Sequence, residues 1–551
     1  MHSSSPPVGT APSSTAPGRS PSNGGPARPL RNVLFIMADQ LRWDYLSCAG
    51  HPSLRTPTLD ALAARGVRFA NAFVQGPVCG ASRMSTYTGR YVSSHGSMWN
   101  FVPLSIGQKT LGDHLRPHGV RCAVAGKTHV EADLEGAARL GLDVRDGLGR
   151  LAMEGGFEPF ERDDGIWPPG FEVRGNRYCD WLRERGYAGA NPWHDYANSA
   201  LDAHGRLLSG WEMRWAAHPA RVAEPHSETA YMTDRAIEFI DAQGDRPWLL
   251  HLSYIKPHWP YVAPAPYHAM YGAADVPPAQ RKPHERDHPH PVVRGYQRTD
   301  PSLSFSRDEV RDTVIPAYMG LVRQIDDHLG RLFAWMRERG IDRDTLVVFT
   351  SDHGDYLGDH WLGEKELFHD TIVKVPLIVM DPRPEADATR GTVNDALVEA
   401  IDLAPTFLDA LGVPPVPQWL EGASLQPWLH GQRPAGWREA AFSENSYAFR
   451  DAVRLPLGRP VDRCGMSMAR TDRWKYVHYE GAPPQLFDLH ADPHEYDDLG
   501  ADPARAAVRE EMAGRLFEWL RARKHCATIR HDAIEQWNAR EVDAGIRIGA
   551  W

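Results

Sequence analysis

Short apolar runs alternate with amphipathic stretches along most of the chain. The runs are "NVLFIMAD" (32–39), "GVRCAVAGKTH" (119–129), "PWLLHLSYIKPH" (247–258), "DTLVVFTSDHGD" (344–355) and "KVPLIVMDP" (374–382). Continuous apolar character over this length predicts strands buried on both faces of a mostly parallel sheet. Helical patterns such as "TLDALAARG" (58–66) and "MGLVRQIDDHLGRLFAWMRERG" (319–340) separate some of them. Together they predict a doubly wound α/β domain. In the first four runs the apolar stretch is followed closely by residues able to do chemistry: Asp39, Lys127 with His129, His258, and Asp352 with His353. Ligands of open α/β sheets bind beyond the carboxyl ends of the strands, so these side chains are expected at one edge.

The pattern changes near residue 440. "MSMARTDRWKYVHYEG" and "QLFDLHADPHEYDDL" read as antiparallel strands, followed by a helix announced by Asp502-Pro503. Val508, Met512, Leu516 and Leu520, with Phe517 beside them, are expected to form its packing face. The expected organisation is a tail over 1–28, a catalytic domain over 29–435, a smaller α+β subdomain with an antiparallel sheet over 436–525, and an arm over 526–551. The arm lacks helical periodicity and either lies along a neighbouring subunit, in a dimer or tetramer, or is a frayed terminus.

Composition narrows the function. With 551 residues, 42% hydrophobic and 24% charged, the chain is an ordinary globular protein of more than one domain. A net charge of −10 without a basic stripe argues against nucleic acid as a partner. An anionic substrate must therefore be drawn in by a local cluster of cations. The opening residues are rich in Ser, Pro and Gly and have neither an acidic residue nor an apolar core, so a flexible tail is expected and a secretory signal is not. No apolar run reaches the length of a membrane helix, and no membrane partner is expected. Cys48, Cys79, Cys122, Cys179, Cys464 and Cys526 form no CxxC pair, which fits reduced thiols in a cytoplasmic protein.

Asp39 and Gln40 of "MADQ", with Asp352 and His353 of "SDHGD", offer two carboxylates, an amide oxygen and an imidazole. That shell suits one divalent cation of intermediate hardness, Mn²⁺ ahead of Ca²⁺, with Mg²⁺ and Zn²⁺ also compatible. The stretch "PVCGASRMSTYTGR" (77–90) places Cys79 four residues before Arg83. Taken alone, this thiol could be a metal ligand, half of a disulfide, a thiolate nucleophile or a residue that another enzyme converts.

Here the chain resembles a known family. Cys79-Gly80-Ala81-Ser82-Arg83 with Thr88-Gly89-Arg90 is similar to the signature of type I sulfatases of the alkaline phosphatase superfamily, and "GKTH", "KPHWPY", "SDHGDYLGDHWLGEK" and the late "KYVHYEG" block follow in order. The resemblance implies an alkaline-phosphatase-like fold and oxidation of Cys79 to formylglycine by a formylglycine-generating enzyme. Hydration of that aldehyde gives a geminal diol. One hydroxyl, acidified by the cation, attacks the ester, and the second lets the covalent ester collapse and release sulfate. The resemblance further implies Cys79 at the metal beside the four ligands, Arg83 fixing the diol, and Lys127 and His129 holding the nucleophile and one ester oxygen. His129 is the candidate base for collapse. His258 and Lys365 contact the leaving-group oxygen, with His258 the expected proton donor.

Two subfamily signatures coexist. "VAPAPYHAMY" (262–271), Asp-Gln and Asp-His at the metal, and Asn100 in "MWNFVPL", a candidate substrate contact, resemble phosphonate monoester hydrolases. In that subfamily the positions of Lys127 and His129 are usually Tyr and Thr, whereas this chain has the cationic pair of true sulfatases. Sulfate monoesters, phosphonate monoesters and phosphodiesters are all monoanions, so charge count does not separate them; geometry and transition-state charge must. The Lys-His pair favours sulfate monoesters, with side activity on the phosphorus esters. Phosphonate monoester or phosphodiester hydrolysis as the main activity is the alternative. A scaffold that had lost its chemistry would show damage at these positions, and none is visible. Aromatic-rich 176–196, and 280–298 with His284, His288 and His290, are expected to shape the leaving-group pocket, the latter as a solvated insertion.

Overall fold

The structure, a computed structural model, describes residues 27–524 and 527–545, excepting the side chains of 537–542. The expected tail therefore lies almost wholly outside the described residues, as does the end of the arm. The strands are β1 (Asn32–Asp39), β2 (Val67–Phe73), β3 (Arg121–Gly126), β4 (Glu158–Arg162), a hairpin of β5 (Ser199–Leu201) and β6 (Leu207–Ser209), β7 (Trp248–Pro257), β8 (Thr345–Ser351), β9 (Lys374–Met380) and β10 (Thr392–Glu399). Eight of them form one sheet in the order β10-β2-β9-β8-β1-β7-β3-β4. All neighbours are parallel except that β9 runs against both β8 and β2.

The sheet stands because its middle strands are apolar on both faces. Every residue of β1, β7 and β8 is buried. Val33, Phe35 and Met37 enter the core on one side, while Leu34, Ile36 and Ala38 enter the core on the other. Period-two alternation thus serves two hydrophobic layers at once. The expected strands are all present. The long helix spans Asp308–Glu338, starting well before residue 319 and carrying Pro316 in its buried interior.

A second sheet, antiparallel, is built from β11 (Ala441–Ser446), β12 (Gly465–Arg470), β13 (Trp474–Tyr479) and β14 (Gln485–Asp488). The helix Ala506–Arg521 packs on it, with Asp502 accepting from Ala504 N–H just upstream. Its packing face matches expectation at Val508, Met512 and Leu516 but not at Leu520 and Phe517. Met512, Leu516 and Trp519 are buried with Ala469, Tyr476 and Leu486, whereas Phe517 and Leu520 are exposed. Trp519 wins the contact because its ring stacks on Phe442 and meets Tyr91 edge-on. The arm is also corrected: residues His531–Asp543 form a helix.

Candidate active site

Strand order brings the four chemistry-bearing ends together. β8, β1, β7 and β3 are consecutive neighbours, so Asp352, Asp39, His258 and Lys127 emerge along one edge. β2 runs the same way, and the helix Cys79–Thr88 begins beyond its end, which delivers Cys79 to that edge from above. All ten residues of this helix are buried. It stops at Gly89, whose φ of 64° closes the helix in the left-handed conformation. At its other end Gly80 N–H donates to Asn100 Oδ1 at 2.7 Å. Asn100, expected to bind substrate, thus caps the helix that bears Cys79.

The nucleophile position is surrounded. Cys79 Sγ lies 3.1 Å from His353 Nε2, 3.4 Å from Lys365 Nζ and 3.7 Å from Asp39 Oδ1. Burial opposes ionisation of the thiol, but Lys127, Lys365 and His353 overcome it and hold its pKa well below the usual range. Asp39 is likewise pushed up by burial and by Cys79, yet Lys127, His258 and Arg83 leave it below the usual carboxylate range. Lys127 Nζ sits 2.6 Å from Asp39 Oδ2.

Arg83 is fully buried and spends its donors on the scaffold. It binds Asp352 Oδ2 at 2.8 Å, Asp39 Oδ2 at 3.1 Å, Ser253 Oγ at 2.8 Å and the Lys127 carbonyl at 2.9 Å. It therefore ties the two carboxylates to each other and to the loop after β3.

His258 Nδ1 faces the Trp259 carbonyl at 2.7 Å, which places the ring proton there and leaves Nε2 to accept from Lys365 Nζ at 3.1 Å. Burial, then Lys365, lower its pKa to about 3. Lys365 is itself raised, because Cys79 and Glu364 outweigh burial. The backbone around Lys365 is held by the second sheet: Asn445 donates to the Glu366 carbonyl at 2.8 Å, and Arg450 pairs with the Glu366 carboxylate.

Single oxygens or ring nitrogens of Asp39, Asp352 and His353 and the Cys79 sulfur all lie within 4.8 Å of one another. The Gln40 amide borders this group through Lys365, which donates from Nζ to Gln40 Oε1 at 2.8 Å. Buried carboxylates, an amide oxygen and an imidazole, gathered where three cations already compensate charge, fit a divalent cation. Backbone strain gathers here as well: Gln40, Phe101, His129, Glu364 and Glu366 all have φ between 52° and 96°.

Several contributors were not legible in the sequence. Asp164 accepts from Thr128 N–H at 2.9 Å and His129 N–H at 3.2 Å, fixing the loop that carries His129. Phe101 is 76% exposed and meets the His129 ring edge-on at 6.1 Å. Trp99, beside Asn100, stacks on Phe449 of the second sheet's unit at 4.9 Å. Of the aromatics in 176–196, expected to shape the leaving-group pocket, Tyr178 and Trp193 are fully buried and Trp181, Tyr187 and Tyr196 pack part-buried against the same core. The 280–298 segment is folded onto the second unit, His284 facing Asp497 at 3.1 Å and His290 facing the Pro483 carbonyl at 2.7 Å. His284 and His290 serve this contact.

Comparison with known proteins agrees with this geometry. Residues 31–413 match the family described as Sulfatase, and 358–522 match the one described as N-sulphoglucosamine sulphohydrolase, C-terminal. The multifunctional alkaline phosphatase superfamily protein PehA of Trinickia caryophylli is 33% identical, over 89% of this chain and 95% of its own. An arylsulfatase of Clostridium perfringens is 26% identical, over 88% and 95%. The phosphonate monoester hydrolase from Silicibacter pomeroyi superposes with a TM-score of 0.77 at 29% identity, over 91% and 98%.

Proposed function

Because the chain belongs to the sulfatase family and is a sulfuric ester hydrolase, we propose that it cleaves sulfate monoesters of the arylsulfatase type through a nucleophile derived from Cys79, with side activity on phosphonate monoesters and phosphodiesters. The observation that carries this reading is the convergence of Cys79 with Asp39, His353, Lys127 and Lys365 at one sheet edge. Asp39, Gln40, Asp352 and His353 would hold the cation, Mn²⁺ or Ca²⁺. When bound, it supplies Lewis acidity to the nucleophile and to the ester oxygens. Conversion to formylglycine supplies a hydrated aldehyde, with one hydroxyl to attack and another to release the product. Since Cys79 is fully buried, conversion by a formylglycine-generating enzyme has to precede folding.

The chain's own residues divide the remaining work. Lys127 and Lys365 flank the nucleophile and stabilise charge on the transferring oxygens. Arg83 keeps Asp39 and Asp352 in register. With its ring proton on the Trp259 carbonyl, His258 presents a lone pair to Lys365 and carries no proton toward the leaving oxygen, so the expected donor role of His258 gives way to the Lys365 ammonium, which stabilises the charge that develops there. Among the described residues His129 Nδ1 is buried without a hydrogen-bond partner, a placement that suits the base for collapse of the covalent ester.

The Lys127-His129 pair carries the preference for sulfate over phosphonate. In a Lys127→Tyr/His129→Thr variant, kcat/KM on an aryl sulfate should fall more than on the matched aryl phosphonate monoester. Equal losses on both would defeat the assignment.

A further inference from the structure

We propose that Asp355 and Tyr261 are positioning residues that fix the amide of Gln40 so that its oxygen, and not its NH2, faces the cation. The inference rests on the metal reading of the site given above. A carboxylate presents oxygen whichever way it turns, whereas an amide ligand must be oriented, because its NH2 repels a cation.

The orientation is built in hydrogen bonds. Gln40 Nε2 donates to Asp355 Oδ2 at 2.6 Å and faces the Tyr261 hydroxyl at 3.3 Å. Tyr261 spends its single proton on the same Asp355 oxygen at 2.6 Å, leaving a lone pair turned to Gln40. The other carboxylate oxygen of Asp355 accepts from Leu357 N–H at 3.1 Å. On the opposite side Gln40 Oε1 accepts from Lys365 Nζ at 2.8 Å. A flipped amide would set its oxygen against the Asp355 carboxylate and its NH2 against the Lys365 ammonium, two mismatches in a buried site. Gln40 and Asp355 are fully buried and Tyr261 nearly so, out of reach of bulk solvent that could repair them. The backbone is pinned too, with Gln40 N–H on Asp352 Oδ1 at 3.0 Å and its carbonyl on the Tyr318 hydroxyl at 2.8 Å.

The result is a donor set with two charged members, Asp39 and Asp352, while a third carboxylate, Asp355, stands one layer back. The arrangement matches a divalent cation without excess negative charge.

Mn²⁺ affinity, measured by isothermal titration on the full chain with metal content checked, tests this directly. Asparagine at 355 offers one carbonyl oxygen to the donors of Gln40, Tyr261 and Leu357, so Asp355→Asn should weaken Mn²⁺ about 10–100-fold, the usual range for a ligand's hydrogen-bond partner. Tyr261→Phe, a milder change, should weaken it less. Adding Gln40→Glu to Asp355→Asn should restore binding, because Glu needs no orienting and can accept from the asparagine NH2. An Asp355→Asn affinity within about twofold of the parent, or failure of Gln40→Glu to restore it, would overturn the proposal. Asp39→Asn separates the two levels: if it leaves Mn²⁺ binding intact, the metal reading of the site itself is wrong.

Discussion

Replacing Arg83 with methionine removes a buried cation of similar length and leaves two fully buried carboxylates, Asp39 and Asp352, without their shared partner. Breaking a buried ion pair by deleting one member costs about 3–5 kcal/mol, because the remaining charge stays desolvated. The Ser253 hydroxyl and Lys127 carbonyl also lose a donor. With an unfolding entropy of about 2.1 cal/mol/K per residue, roughly 500 ordered residues give about 1 kcal/mol per degree. The metal-free variant should therefore melt about 3–5 °C below the parent if the chain unfolds as one unit. A divalent cation neutralises the same carboxylates, so saturating Mn²⁺ should recover most of that loss. Differential scanning calorimetry in chelator and in excess Mn²⁺ reads both quantities. A metal-free melting temperature equal to the parent's, or a deficit that Mn²⁺ does not reduce, would show that Arg83 does not compensate the two buried carboxylates.

Three further outcomes are expected. Asp164→Ala frees the backbone of Thr128 and His129, so kcat should fall about 10–100-fold with a smaller change in KM, as measured by steady-state kinetics on an aryl sulfate. Phe101→Ala removes an exposed ring beside His129 and should lower kcat/KM on aryl sulfates about 2–10-fold while sparing methyl sulfate; equal effects on both would mean the ring touches no leaving group. Burial outweighs the Thr58 and Leu59 N–H bonds and raises the Asp326 pKa to about 6. The folded chain thus holds this proton more tightly than the unfolded one. Its stabilising contribution is full below the unfolded carboxyl pKa and is lost as pH rises through about 6. Relative to Asp326→Asn, the parent should lose melting temperature between pH 4.5 and 7, as thermal melts at both pH values will show.

The middle of the fold was legible because β1, β7 and β8 are buried on both faces and read as unbroken apolar runs. β2, with its part-buried positions, and β10, exposed along its first half, carry no such run, and the reversed direction of β9 leaves no mark in composition. Part of the site's first layer was legible for a similar reason: Asp39 ends an apolar strand, and Lys127, His258, Asp352 and His353 follow one within two residues, whereas Cys79, Arg83 and Lys365 follow none and were reached through the family resemblance. Asp164, Asp355 and Tyr261 act through loop geometry and hydrogen bonds, which no local pattern encodes. Nor could spacing tell that the aromatics of 176–196 face the core, since buried and pocket-lining aromatics look alike in sequence.

The proposed chemistry begins at Cys79. The deciding measurement is kcat/KM on an aryl sulfate for the parent and for Cys79→Ala, with the peptide containing residue 79 weighed from the same preparation. The parent peptide should have exchanged sulfur for a carbonyl oxygen, and the variant should lose at least about a thousandfold in kcat/KM. A variant that keeps more than about a tenth of the parent's activity would show that the nucleophile lies elsewhere.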